Sequence, residues 1–224
     1  MRADLDALDE VLDGAPPTLR LYTWPSPTLS LGKFQSLDDV DRAACERHGV
    51  AIVHRPTGGA ALLHGGDLTY AVAMPLPGGR GSEVREVYTY LAKGLIAGLE
   101  RLGVRAAVAR HDGPGGPVCF AGQQGADLRV GDRKVCGSAQ VRRHGAVLQH
   151  GSILLRRLAI DECDVVTSAC DKQALREATT TLEELRAPCD ARSAADAIAA
   201  GFAASLDVTF HPTTLMGRAI RATR

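Results

Sequence analysis

The stretch Arg55-Pro-Thr-Gly-Gly-Ala-Ala-Leu-Leu-His64 lies between two apolar runs, Val50–Val53 and Leu68–Met74, that are typical of strands. Paired glycines can take positive φ and bring backbone amides close to a ligand. The stretch therefore predicts a tight loop able to hold a carboxylate, an acyl carbonyl or a phosphate. Arg55 could add a charge-assisted contact. A plain turn between two strands is the alternative interpretation of the same residues.

Apolar spacing on both sides of this loop predicts short strands and amphipathic helices. On the N-terminal side the predicted elements are helices at 4–13 and 38–48 and strands at 19–24, 28–31 and 50–54. On the C-terminal side the predicted strands lie near 60–63, 68–74 and 104–109, at 146–155 and at 208–210, and a hairpin covers 126–130 and 134 onward. The predicted helices on this side run from Ser82 to Leu102 and start at Ser193. Strands first and helices later favour an α+β fold, a mixed sheet covered by helices, in one domain over residues 1–224.

Composition argues against several classes of function. The 224 residues carry 26 basic and 26 acidic side chains, which disfavours nonspecific binding to nucleic acid or to an anionic membrane. No apolar run approaches the roughly 18 residues of a membrane helix, and the polar start Met1–Asp6 does not resemble a signal peptide. The six cysteines form no Cys-x-x-Cys pair. We therefore expect a cytoplasmic protein with reduced thiols and no metal site.

Two further segments carry residue types suited to acyl transfer. The first is Pro117-Val-Cys-Phe120, and the second is Gly131-Asp-Arg-Lys-Val-Cys-Gly-Ser-Ala-Gln140. A thiolate exchanges acyl groups with thioesters, and a nearby ammonium lowers the pKa of a thiol. Cys119 is therefore a candidate nucleophile and Lys134 its candidate activator. Sequence alone leaves open whether the two side chains meet, and a buried, inert cysteine is the alternative.

The Thr-Gly-Gly loop with its following His64, the Lys-x-x-Gly-Ser-Ala-Gln run that ends at Gln140 and the Leu-Gln-His-Gly-Ser run that ends at Ser152 together resemble one superfamily. It is the biotin/lipoate protein ligase and acyltransferase superfamily, and the match is most similar to its LipM-type octanoyltransferases. The resemblance runs from about Leu19 to Leu155. It implies the catalytic-domain fold shared with biotin synthetases and class II aminoacyl-tRNA synthetases.

The resemblance also implies a set of site residues. In LipM-type enzymes the acyl-accepting Cys lies in a Val-Cys-Phe segment, and a Lys follows at the separation seen between Cys119 and Lys134. The implied substrate-binding residues are Arg55, Thr57, Gly58, Gly59, Ala60, Ala61, Leu62, His64, Gly137, Ser138, Gln140 and His150. Small side chains at Ala60 and Ala61 could leave room for an acyl chain. The chain departs from the family pattern at His54, at Gly65 and over Ala121–Gly125, which bears on acyl preference and rate.

The implied reaction is octanoyl transfer in lipoate biosynthesis. Octanoyl-acyl carrier protein acylates Cys119, and a lysine of a lipoyl domain or of glycine-cleavage H protein then takes the acyl group. No cofactor, nucleic acid or membrane is implied. An ATP-dependent lipoate–protein ligase, which uses ATP and Mg and needs no cysteine, is the alternative, and a non-catalytic binder of lipoyl or biotinyl domains is a third interpretation. The Val-Cys-Phe match and the short segment after Leu155 favour the transferase.

Overall fold

The computed structural model describes residues 1–76, 83–109, 127–212 and 218–223. Its helices are α1 (Arg2–Leu12), α2 (Arg42–Arg47), α3 (Val84–Arg101), α4 (Lys172–Ala178) and α5 (Ala191–Leu206). Its strands are β1 (Thr18–Tyr22), β2 (Thr28–Leu31), β3 (Ala51–His54), β4 (Leu62–His64), β5 (Asp67–Pro75), β6 (Ala107–Val108), β7 (Leu128–Val130), β8 (Arg133–Arg143), β9 (Ala146–Leu154), β10 (Thr209–Pro212) and β11 (Arg218–Thr223). Short 3₁₀ helices span Leu37–Asp39 and Glu162–Asp164.

Two sheets organise the described residues. Eight strands form one antiparallel sheet in the order β10-β11-β1-β5-β9-β8-β7-β6. A smaller sheet, β3-β2-β4, pairs β2 parallel to β3 and antiparallel to β4. The predicted α+β class with helices covering a sheet is therefore confirmed, although the mixed pairing occurs in the small sheet. The prediction of one domain over the whole chain stays a prediction.

Helices cover both faces of the large sheet. On one face α3 buries leucines at the spacing of a helical stripe, such as Leu91 and Leu95, and α5 buries Ile198 and Phe202, in one core cluster with Tyr70 of β5. The two helices cross closely, because a Cβ atom added to Gly201 would lie 2.2 Å from the backbone nitrogen of Gly98. On the other face α1 packs through Leu8. Across residues 1–76, 83–109 and 127–212, no helix combines the length and apolar character needed to cross a membrane.

Several predicted helix boundaries are wrong for identifiable reasons. The helix predicted at 38–48 is broken, because Val40 is extended and forms a bridge with Val166. α2 then starts after Asp41, whose carboxylate accepts from the backbone N–H of Ala44. The predicted start of the last helix at Ser193 lies too late, since the side chain of Asp190 caps it. Ser82 lies outside the described residues.

Some of the strand predictions also change. The strand predicted at 104–109 shortens to β6, while the strands predicted near 28–31, 68–74 and 146–155 are confirmed within a residue. β11 was not predicted at all. It lies between β10 and β1 and pairs antiparallel with both, so the end of the chain returns to the large sheet.

One pair of cysteines departs from the expectation of reduced thiols. Cys163, in the 3₁₀ helix Glu162–Asp164, is joined to Cys170, one residue before the cap of α4, with Cα atoms 5.1 Å apart. The tight turn between the two elements brings the thiols together, because that separation lies within the range that a disulfide requires. Of the remaining cysteines that the structure describes, Cys45 and Cys136 are buried thiols and Cys189 is half-buried.

Candidate active site

The side chain of Arg55 lies within the glycine loop and holds its conformation through hydrogen bonds. Arg55 follows β3, and its guanidinium is buried. Nη1 donates to the carbonyl oxygen of Ser30 at 2.9 Å, and Nη2 donates to those of Gly58 at 3.0 Å and Ala60 at 2.7 Å. A planar fork of donors is suited to holding several carbonyls at once. Arg55 therefore fixes the loop, a role that sequence reasoning did not assign to it.

The glycine loop also packs closely against the segment that follows β2. A Cβ atom added to Gly32 would lie 1.8 Å from the carbonyl oxygen of Gly59, which itself takes a φ of +93°. The backbone N–H of Lys33 donates to the carbonyl of Thr57 at 2.8 Å. Glycine is needed at both contact positions, because any side chain would push the loop away.

A cavity opens between this loop and the large sheet. Most of the predicted binding residues lie on its wall, together with Lys134: Arg55, Gly58, Gly59, Leu62, His64, Gly137, Ser138 and His150. Residues that the sequence did not single out also line it, among them Ser30, Thr69, Asp127, Ala139 and Gly151. The predicted nucleophile Cys119 and the departures at Ala121–Gly125 lie outside the described residues.

Four predicted binding residues do not lie on this wall. Thr57 lies behind it, with Oγ1 2.7 Å from Nε2 of His150. Ala60 takes part only through the carbonyl that Arg55 binds, and Ala61 packs in the core of the small sheet. Gln140 donates to Oε1 of Gln149 at 2.7 Å. These residues support the cavity from outside.

Lys134 is placed by β8 with its ammonium buried. Its Nζ lies 2.9 Å from Oδ2 of Asp127, and each side chain is only 3% exposed. The backbone carbonyl of Lys134 accepts from the N–H of Thr180, which ties β8 to the segment after α4. Asp127 was missed, because a single acidic residue within a predicted strand carries no recognisable pattern.

His64 lies at the end of β4 between two partners. Its Nδ1 lies 2.9 Å from Oδ2 of Asp67, and its Nε2 lies 2.9 Å from Oγ of Ser30. The imidazole stacks on the indole of Trp24 with ring centroids 4.3 Å apart. The orientation of the ring is thus fixed by two hydrogen bonds and a stacking contact.

Asp67, the first residue of β5, accepts several hydrogen bonds. Besides His64, it accepts from the backbone N–H of Gly65 at 2.9 Å, from Oγ1 of Thr69 at 2.9 Å and from Oγ of Ser152. Burial by itself raises the pKa of this carboxyl, but His64 and the other donors together hold the pKa below its ordinary value. Asp67 therefore stays ionised under the ring of His64.

His150 and Asp4 form a second buried group. Nδ1 of His150 lies 3.9 Å from Oδ2 of Asp4, a residue of α1 that also pairs with Arg20 and accepts from the hydroxyl of Tyr22 at 2.9 Å. Burial lowers the pKa of His150, so its neutral form is favoured. Sequence reasoning missed Asp4, which meets β9 only through the packing of α1.

Ser138 belongs to a series of hydrogen-bonded polar side chains within the large sheet. Its Oγ lies 2.7 Å from the hydroxyl of Tyr70, and that hydroxyl accepts from Nε2 of Gln149 at 2.8 Å. Burial raises the pKa of Tyr70 well above its ordinary value, so the phenol stays neutral. These hydrogen bonds hold the Ser138 hydroxyl in place on the cavity wall.

A cavity bounded by a glycine loop, a buried ammonium and fixed histidines lies on an antiparallel sheet with helices on both faces, and this combination defines a catalytic domain with a substrate pocket. The chain belongs to the lipoyl protein ligase A/B catalytic domain family, whose model matches residues 2–203. The family predicted from the loop and the Lys134 segment is thereby confirmed.

Among curated relatives, the chain is similar to octanoyltransferases named LipM. The enzyme from Symbiobacterium thermophilum is 40% identical over 238 residues, which covers 95% of this chain and 85% of the relative. The enzyme from Kyrpidia tusciae is 38% identical over 218 residues, covering 89% and 79%. At this similarity the chain is an acyltransferase of lipoate biosynthesis, and the predicted octanoyltransferase class is confirmed.

Solved structures support the fold. The bipartite lipoate protein ligase of Thermoplasma acidophilum, described with its E2 lipoyl domain, aligns with a TM-score of 0.73 at 21% identity and covers 94% of this chain and 81% of its own. Lipoate-protein ligase A bound with ATP aligns with a TM-score of 0.72 at 21% identity, covering 92% and 81%. These likenesses confirm the predicted catalytic-domain fold.

Proposed function

We propose that this chain transfers an octanoyl group from octanoyl-acyl carrier protein to a lysine of a lipoyl domain or of glycine-cleavage H protein, through a thioester on Cys119, in the cytoplasm and without ATP. The observation that carries the proposal is the buried ammonium of Lys134 on the wall of the cavity beneath the Thr-Gly-Gly loop. Lys134 follows the Val-Cys-Phe segment at the separation that LipM-type enzymes use.

In the first half-reaction the Cys119 thiolate attacks the carbonyl carbon of the carrier thioester, and the carrier thiol leaves. An adjacent ammonium favours the thiolate over the thiol, which is the role we assign to Lys134. Asp127 holds that ammonium at 2.9 Å and so restricts its position. Backbone amides of the Gly58-Gly59 segment, which Arg55 keeps in shape, are suited to stabilise the oxyanion that forms.

In the second half-reaction the acceptor lysine attacks the octanoyl-enzyme. An amide is more stable than a thioester, so this step needs no nucleotide. A ligase would instead activate free acid with ATP and would not need the cysteine. The relatives named octanoyltransferase are nearly twice as identical to this chain as the aligned ligase structures, which favours the transferase.

Intact mass spectrometry after incubation with octanoyl-acyl carrier protein tests the proposal. We expect an octanoyl adduct that maps to Cys119, is lost in Cys119→Ala and is retained in Cys189→Ala, a matched change at a half-buried thiol of another segment. Turnover that requires ATP and free acid would establish the ligase instead. Binding of a lipoyl domain without either reaction would establish a non-catalytic binder.

A second test addresses Lys134. Loss of its positive charge in Lys134→Ala should raise the pKa of the Cys119 thiol, so alkylation near neutral pH slows and its pH profile moves upward. Arg133→Ala, a change at the neighbouring and more exposed residue, serves as the control. An unchanged profile in Lys134→Ala would show that Lys134 does not activate the nucleophile.

A further inference from the structure

Ser30, His64 and Asp67 form a buried linear chain of hydrogen bonds on the cavity wall. The carboxylate of Asp67 can only accept, so Nδ1 of His64 is the protonated nitrogen in the 2.9 Å bond between them. Nε2 is then an acceptor, and the Ser30 hydroxyl donates to it at 2.9 Å. Nη1 of Arg55 approaches the same hydroxyl oxygen at 3.3 Å, which fits an oxygen whose proton points toward His64.

We propose that His64, oriented by Asp67 and reached through the Ser30 hydroxyl, is the base that takes the first proton from the ammonium of the acceptor lysine as it attacks the octanoyl-enzyme. The inference rests on the proposed transfer function and concerns only its second half-reaction. Both Ser30 and His64 line the cavity, so the relay ends where the acyl group is held. A carboxylate, an imidazole and a hydroxyl in line recur in enzymes that move a proton this way.

The other candidates on the cavity wall are less suited to this role. Lys134 supplies the positive charge that stabilises the departing thiolate, and it is held by Asp127. His150 has Nε2 engaged with Thr57, and its burial, with Arg55 nearby, disfavours the imidazolium.

For His64, by contrast, the ionised carboxylate of Asp67 lies in direct contact and would stabilise the imidazolium that forms. The other ionisable groups that face the pair are Arg55 at the end of β3, His150 on β9, Tyr22 on β1 and the buried Glu162. The Arg55 guanidinium opposes a positive charge on the His64 ring, and an ionised Glu162 carboxylate favours one.

Two protons leave the lysine ammonium during the transfer. One proton passes from the ammonium to Oγ of Ser30 while the Ser30 proton passes to Nε2 of His64, and the amine nitrogen bonds to the carbonyl carbon. Collapse of the adduct breaks the carbon–sulfur bond. The second ammonium proton then goes to the sulfur of Cys119, which leaves an amide, a thiol and a protonated His64 that later yields its proton to water.

The test separates the two half-reactions in His64→Gln and Asp67→Asn. Acylation by octanoyl-acyl carrier protein is measured first, and the isolated octanoyl-enzyme is then offered a lipoyl domain or hydroxylamine, an amine that is mostly uncharged at neutral pH. We expect acylation within about threefold of wild type and transfer to the lipoyl domain at least 100-fold slower, in line with the loss of a general base. Hydroxylamine should still react within a few fold of the wild-type rate. His48→Gln, at an exposed histidine just after α2, is the matched control and should transfer normally.

Equal slowing with both amines would show that His64 only supports the site, and no slowing with the lipoyl domain would show that it takes no part. Failure to acylate wild type would overturn the proposed function itself, a distinct result. Wild type alone gives a further check that is independent of variant folding. With a base inside the site, transfer to lysine should not follow the fraction of free lysine that is deprotonated in solution, so a rate that keeps rising tenfold per pH unit toward the pKa of free lysine, about 10.4, would overturn the inference.

Discussion

Nζ of Lys134 and Oδ2 of Asp127 lie 2.9 Å apart with both side chains 3% exposed, so the charge we assign to thiol activation is held inside the protein by the carboxylate of Asp127. Removing two charges from water is costly, and a buried pair is therefore a weak source of stability. Removing only one partner is far more damaging, since the other charge is left buried. The stability of the fold therefore depends on the same ion pair that positions the Lys134 ammonium in the site.

Asp127→Asn should lower the free energy of unfolding by about 3 kcal/mol, because the Lys134 ammonium would lose its carboxylate while still buried. Urea denaturation followed by circular dichroism measures the change. Asp132→Asn, at an exposed position of the turn between β7 and β8, is the matched control and should change the value by less than about 0.5 kcal/mol. Similar small effects of both substitutions would show that the pair is not rigidly buried.

Glu162 is expected to weaken the protein at high pH. Its carboxyl accepts from the backbone N–H of Leu63 at 3.1 Å, and burial raises its pKa above the ordinary value. A raised folded-state pKa adds stability that is full below the unfolded pKa and is lost as pH rises through the folded pKa. Glu162→Gln keeps an acceptor for Leu63 and cannot ionise.

Glu162→Gln should therefore match wild type near pH 4 and be the more stable of the two near pH 8, where the wild-type carboxyl must ionise while buried. Thermal and chemical unfolding at the two pH values provide the comparison. Glu183→Gln, at an exposed glutamate, should show no such pH-dependent difference. A variant less stable than wild type at pH 8 would mean that the Glu162 carboxylate is stabilised by its surroundings after all.

Gly32→Ala should displace the Thr-Gly-Gly loop. The added methyl would lie 1.8 Å from the carbonyl oxygen of Gly59 and 3.4 Å from Nη2 of Arg55, so the backbone must shift. Because a misplacement of about 1 Å can cost about 100-fold in rate, we expect kcat/KM for octanoyl transfer to fall at least tenfold. A measured kcat/KM within twofold of wild type would show that the loop adapts without loss of geometry.

The sequence predicted those parts of the site that lie within one segment. The Thr-Gly-Gly loop and Lys134 were found because each is carried by a local run of residues, and apolar periodicity located α3 in the same way. Asp127, Asp67 and Asp4 were missed, because each acts on a partner brought near by strand pairing or helix packing. Such contacts depend on tertiary structure and have no periodic pattern.

Two further misses have the same physical origin. β11 carries a single strongly apolar residue, Ile220, among arginines, alanines and a threonine, so its pattern predicts no strand. The family resemblance placed Ala60 and Ala61 on the acyl pocket. In the structure the cavity wall continues instead through Leu62 and through Ala139 on β8, a residue whose neighbour across the sheet is His150.

The preference for acyl chains of different length can test where along this cavity wall the acyl chain lies. Each buried methylene contributes roughly 0.8 kcal/mol, so wild type should prefer octanoyl over hexanoyl carrier protein by about fifteenfold in kcat/KM. Ala139→Leu fills part of the cavity and should reduce that ratio to about one or reverse it, because overpacking disfavours the longer chain. Ala60→Leu, at a residue that does not line the cavity, should leave the ratio near the wild-type value even if the rate falls. If Ala60→Leu alters the ratio and Ala139→Leu does not, the chain runs along the loop and our placement of the acyl site is wrong.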